Sequence, residues 1–203
     1  MYLIIYLIAF ITLIISIVIF NYIFKILSLE YLFYSFILFI IIFFLCSKIG
    51  YIIINLDFNL SIYTFITSGY AFIGGYYSCF ILSLFTSKIF KWKNILILYT
   101  PNMLLFYSIL KISCYIKGCC NGIIPIQLIE SIFNFMAYLY ICYLVLKKKD
   151  IKKIINMSII LFSILRIILS LFRVYTNIYS LIIVEVLCIN IVIIKRIIGG
   201  YNE

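Results

Sequence analysis

The run KISCYIKGCCNGIIPIQLIE, from Lys111 to Glu130, is the longest break in a chain that is otherwise close to continuously apolar. It carries Lys111, Cys114, Lys117, Gly118, Cys119, Cys120, Gly122, Gln127, Glu130 and Pro125, one of only two prolines. Polar groups this dense between membrane-length apolar segments cost insertion energy. They are most simply explained as the lining of a protected, partly wet site, with an ordinary extramembrane loop as the alternative. The flanking segments decide the class. Tyr2–Phe24 has no charged residue and is long enough to cross a bilayer, which takes about 20 apolar residues. With 203 residues, 67% of them hydrophobic, and a mean hydropathy of +1.30, the chain is expected to be an all-α polytopic membrane protein. A single integral membrane domain over residues 1–203, one bundle of about seven transmembrane helices, fits that length.

Outward from the break, Asn94–Leu110 is the preceding span, with Pro101 inside it, and Ile123–Leu146 is the following one. Upstream, Tyr2–Phe24 reads as a retained first span because it lacks the basic start of a signal peptide. Tyr31–Ser47 is the second, reaching past Lys48 to Leu56 if that lysine snorkels. Leu60–Ser87 is the third and holds Gly69, Gly74 and Gly75, after a turn at Asp57 and Asn59. Downstream lie Ile154–Tyr175 and Ile178–Ile194. Lys25, Lys88–Lys93, Lys147–Lys153 and Lys195–Arg196 all fall on one side of such a bundle. The positive-inside rule makes that side cytoplasmic, with the N-terminus outside, the C-terminus cytoplasmic and residues 111–122 on the outer face.

The net charge of +10 is then an orientation signal and an attraction to anionic lipid, with no nucleic acid implied. The chain has no histidine, which excludes any mechanism needing an imidazole base. Cys46, Cys79, Cys142 and Cys188 sit in apolar runs, where cysteine acts as a small hydrophobe. The spacing of Cys114, Cys119 and Cys120 matches no common zinc pattern, so neither metal nor other cofactor is expected.

Arg166 lies near the middle of the sixth span, where an arginine costs about 2.5–3.5 kcal/mol to insert. Ser170 and Arg173 share its helix face. Gln127 and Glu130 share a face of the fifth span, and Glu130 lies at a depth between Arg173 and Arg166. A Glu130–Arg166 ion pair is the economical expectation, with Glu185 a second candidate partner. Lys111, Lys117, Arg166 and Arg173 together suit an anionic headgroup, since both side chains bind phosphate oxygens directly.

These residues resemble the prolipoprotein diacylglyceryl transferase family, seven-span enzymes of the bacterial inner membrane. LKISCYIKGCCNG (Leu110–Gly122) is similar to the signature that opens Gly-Arg-Ile-Gly and ends Gly-Cys-Cys-x-Gly in one subgroup. PIQLIES (Pro125–Ser131) resembles the Pro-x-Gln-Leu-x-Glu segment, LRIILSLFR (Leu165–Arg173) the late Arg-(x)3-Glu-(x)2-Arg helix, and FIGG (Phe72–Gly75) the aromatic-His/Tyr-Gly-Gly element. The signature arginine is Lys111 here, its flanking glycines are Leu110 and Ser113, the residue before Gly-Gly is Ile73, and the late glutamate is Ser170. The resemblance implies transfer of a diacylglyceryl group from phosphatidylglycerol to the lipobox cysteine thiol of a prolipoprotein, in the bacterial plasma membrane. It implies Lys111 and Arg166 as catalytic, stabilising charge on the departing phosphate. Gly74, Gly75, Cys114, Gly122, Gln127, Glu130, Ser170 and Arg173 would bind substrate. A base for the thiol is not evident unless Lys111 or Tyr115 serves.

Three functions follow: a divergent, active transferase; a catalytically impaired relative that binds lipid or a partner; and a small transporter. Inverted repeats would favour transport, and none is visible. A headgroup-sized cavity open to the outer leaflet would favour the first two.

Overall fold

The computed structural model describes residues 2–55, 71–90, 92, 94–118, 125–172 and 178–200. Among them lie seven α-helices: α1 (Tyr2–Phe24), α2 (Leu29–Asn55), α3 (Phe72–Ile89), α4 (Leu96–Lys117), α5 (Ile126–Leu146), α6 (Ile151–Ser170) and α7 (Ile178–Gly200). Six are long and apolar enough to cross a membrane, and the stretch Ile178–Ile194 of α7 is shorter but also apolar. The fold is all-helical, as the composition demands. A helix satisfies its backbone groups internally, and a lone spanning segment in lipid has no other way to do so. Large apolar residues remain exposed on α1 (Ile4, Leu7, Ile11, Ile15) and on α5 (Ile132, Phe133, Met136), the surface a multi-pass protein turns to lipid.

Several helices outrun the apolar runs that announced them. α2 continues through Lys48 to Asn55, as the longer reading of the second span has it, but with Lys48 buried rather than snorkelling, at 7% exposure. α4 passes the expected end at Leu110 and runs to Lys117, so the first third of the polar break is helix, not loop. It stops at Gly118, whose φ of +64° is a left-handed conformation that glycine adopts without a Cβ penalty. α6 begins at Ile151, taking in Lys152 and Lys153, and ends at Ser170, short of the expected Tyr175. The expected turn at Asp57 and Asn59, the start of the third span with Gly69, and the site candidates Gly122 and Arg173 lie outside the described residues.

The helices gather in two compact units, one of α1, α4, α5 and α6 and one of α2, α3 and α7. In the first unit α4 is central and touches the other three helices. Every residue from Leu96 to Leu104 is buried, Pro101 included. Buried polar groups there bond across helices. Ser16 Oγ donates to Asn102 Oδ1 at 2.6 Å and is also bonded to the Tyr138 hydroxyl at 2.6 Å. Ser108 Oγ donates to the Ser131 carbonyl at 2.8 Å. Such bonds between membrane helices contribute about 0.6 kcal/mol each on average.

In the second unit α3 packs closely on α2. A Cβ at Gly74 would collide with the Cys46 carbonyl, and one at Gly75 would meet the Phe43 ring and Ser47 Oγ. The Ala71 amide donates to the Ser47 carbonyl at 3.0 Å beside this crossing. Tyr77 donates to the Leu187 carbonyl of α7 at 2.6 Å.

Candidate functional site

α4 sets Tyr107 and Lys111 one turn apart on one face, α5 does the same for Gln127, Glu130 and Asn134, and α6 for Phe162 and Arg166. All belong to the unit of α1, α4, α5 and α6. Glu130 is the hub and is 1% exposed. Its Oε1 accepts from Arg166 Nη1 at 3.1 Å, and its Oε2 pairs with Lys111 Nζ at 3.0 Å. The Tyr107 hydroxyl joins the cations to the carboxylate. It accepts from Arg166 Nη1 at 2.6 Å and donates to Glu130 Oε2 at 3.3 Å. The Lys111 ammonium also lies 5.0 Å from the Tyr107 ring centroid, a cation–π distance, and Phe162 meets that ring edge-on at 5.9 Å.

The expected Glu130–Arg166 pair therefore forms, and Lys111 joins it. Taking each ion from water costs several kcal/mol, which only mutual pairing and hydrogen bonds offset. Two cations and one carboxylate give these three positions one net positive charge. The convergence is on the carboxylate, not on an open phosphate-sized cavity. The space beside it, lined by Tyr107, Glu130, Asn134, Phe162, Arg166 and Leu169, is too narrow for a water molecule. Asn134 Nδ2 donates to the Glu130 carbonyl at 2.7 Å, while its buried Oδ1 has no hydrogen-bond partner among the described residues.

The other sequence candidates are placed differently. Gln127 is buried one turn before Glu130. Cys114 is half-buried one turn beyond Lys111. Ser170 is buried, and its Oγ donates to the Ile167 carbonyl at 2.7 Å within its own helix. Tyr115, the other base considered, is exposed on α4. Gly74 and Gly75 belong to the second unit, where α2 fills the space beside them. Glu185, the alternative partner for Arg166, sits on α7 of that unit. Among the described residues no three His, Cys, Asp or Glu side chains gather as a metal site.

Sequence reasoning missed Tyr107 and Asn134. Each is four residues from a singled-out charge, Lys111 and Glu130 respectively, and so on the same helix face. That spacing is the signal that finds them. No family model matches the chain, and no curated protein or solved structure is significantly similar to it.

Proposed function

We propose that the protein is a divergent diacylglyceryl transferase-like protein of the bacterial plasma membrane, acting on phosphatidylglycerol at the outer leaflet. The observation that carries this reading is the convergence of Lys111, Glu130 and Arg166 on one buried point. Each belongs to a different segment of the family resemblance, and the bland alternative of separate snorkelling and packing residues gives no reason for them to meet. In the reaction, the thiol sulfur of a lipobox cysteine bonds to the terminal glycerol carbon of the diacylglyceryl group. The bond from that carbon to the phosphate oxygen breaks, its electron pair leaves with glycerol phosphate, and the thiol proton passes to water or to the departing phosphate. Arg166 and Lys111 stabilise the charge that develops on that phosphate.

A second reading, a catalytically impaired relative that binds lipid or a partner protein, is favoured by two observations. Lysine stands where the signature has an arginine fork, and the space beside the cluster is closed to water. The test is purified protein in nanodiscs with phosphatidylglycerol and a lipobox peptide, alongside complementation of a transferase-depleted strain. The expected result is release of glycerol phosphate, with preference for phosphatidylglycerol over a zwitterionic lipid. Arg166→Ala should abolish both, and Arg196→Ala neither. Lipid preference without transfer or complementation selects the second reading. Equal loss of preference in both variants means diffuse charge attraction and overturns the site.

A further inference from the structure

We infer that the Glu130 carboxylate is an internal stand-in for the ligand: it occupies the anion site made by Lys111, Arg166 and Tyr107, and a phosphodiester headgroup enters by displacing it. The inference rests on the anionic-lipid reading of this site and assigns how the site is regulated.

The contacts have the form a phosphodiester would need. One negatively charged centre presents two oxygens, one to each cation, and the Tyr107 hydroxyl donates to the second oxygen. Two non-bridging phosphate oxygens satisfy the same donors, so the site is chemically complete for a monoanion but is already filled by one. The carboxylate is the most buried member of the cluster, at 1% side-chain exposure against 8% for Lys111 and 12% for Arg166. The cations are thus the part an arriving anion meets first. The adjoining space does not admit a water molecule, so no anion fits until the carboxylate moves. The closed arrangement also leaves Asn134 Oδ1 buried at that space with no hydrogen-bond partner among the described residues. Folded proteins rarely leave such an acceptor unsatisfied, and a headgroup hydroxyl would supply the missing donor.

An anion that competes with an internal carboxylate binds more weakly, by the fraction of time the site is open. If Glu130 holds the site nine-tenths of the time, its removal tightens binding about tenfold. The experiment measures binding of short-chain phosphatidylglycerol and, separately, of inorganic phosphate to the full chain in detergent, for wild type, Glu130→Gln, Lys111→Met and the double variant. Glu130→Gln should bind phosphatidylglycerol about tenfold more tightly than wild type.

Because Glu130→Gln leaves one buried and one part-buried cation without their counter-charge, the Lys111→Met pair decides the matter should it fail to fold. Lys111→Met keeps a neutral Arg166–Glu130 pair and should lose the lipid. Adding Glu130→Gln returns these positions to the wild-type net charge of one and should restore binding, a rescue that a purely structural Glu130 does not give. A gain for phosphatidylglycerol alone assigns a lipid ligand, and a parallel gain for phosphate assigns the phosphate group itself; both support displacement. If wild type prefers phosphatidylglycerol but neither removal of Glu130 improves binding, displacement is overturned and the proposed function stands. If phosphate alone gains and no variant binds the lipid, displacement stands and the lipid reading falls. Absence of anion binding throughout overturns both.

Discussion

Tyr107 and Glu130 stabilise the same cluster by different physics, and substitution separates them. Tyr107 brings a hydroxyl that bonds to two charged partners. Hydrogen bonds to charged groups contribute about 1.5–3 kcal/mol, so Tyr107→Phe should cost about that much and leave the ion pairs in place. Glu130→Gln leaves Lys111 and Arg166 without the carboxylate that both now contact. Breaking a buried pair in this way costs about 3–5 kcal/mol. Thermal unfolding in detergent should therefore rank wild type above Tyr107→Phe and Tyr107→Phe above Glu130→Gln, with membrane yield in the same order. A Glu130→Gln protein no less stable than Tyr107→Phe would mean that Glu130 is not the counter-charge. The charges were legible in the sequence because each interrupts an apolar run where its cost demands a partner. Tyr107 was not, being one of nineteen tyrosines, and a tyrosine in a membrane helix needs no explanation. The closure of the site was illegible for a similar reason, since residue types predict which groups meet and not how much room they leave.

The two adjacent glycines of α3 make different demands on the helix they face. At Gly74 the obstacle to a Cβ is the Cys46 backbone carbonyl of α2, which cannot move without moving that helix. At Gly75 the obstacles are side chains, the Ser47 hydroxyl and the buried Phe43 ring, which is itself packed against Phe39, Phe44 and Phe72. Alanine is favoured over glycine in a helix by about 0.8–1.0 kcal/mol, while overpacking costs about 1–3 kcal/mol. Both Gly75→Ala and Gly74→Ala should thus destabilise in the same unfolding measurement, Gly74→Ala the more because its obstacle is backbone. A Gly74→Ala protein no less stable than Gly75→Ala would mean that the α2 backbone does not limit the approach of α3. Among the described residues helix existence was readable, and α1 matched its apolar run end to end. The ends of α4 and α6 were not readable from hydropathy, which reports which solvent a residue prefers. Backbone hydrogen bonding does not stop where lipid does, so α4 carries on through Lys111 to Lys117, and that continuation brings Lys111 within reach of Glu130.

For the whole molecule, the decisive quantity is which end of α5 faces the cytoplasm. α5 has 21 residues and at about 1.5 Å per residue spans about 30 Å, the thickness of a bilayer core. A crossing α5 puts the residues just before it and just after it on opposite sides, whatever the total number of spans. After it come Lys147, Lys148, Lys149, Lys152 and Lys153. Before it, the stretch from Lys111 to Pro125 has two lysines, and the structure removes one from the topological count, because Lys111 is buried against Glu130. Within that stretch Lys117 is then the exposed lysine, against five after α5, so the loop after α5 should be cytoplasmic. Lys117 and Lys149 are both exposed and mark the two sides. In a cysteine-free background, Lys117→Cys should react with an impermeant thiol reagent in intact cells, and Lys149→Cys only after permeabilisation. The reverse pattern would invert the orientation and move the ion cluster's end of α5 to the inner leaflet. Labelling of both from one side would mean that α5 does not cross the membrane at all.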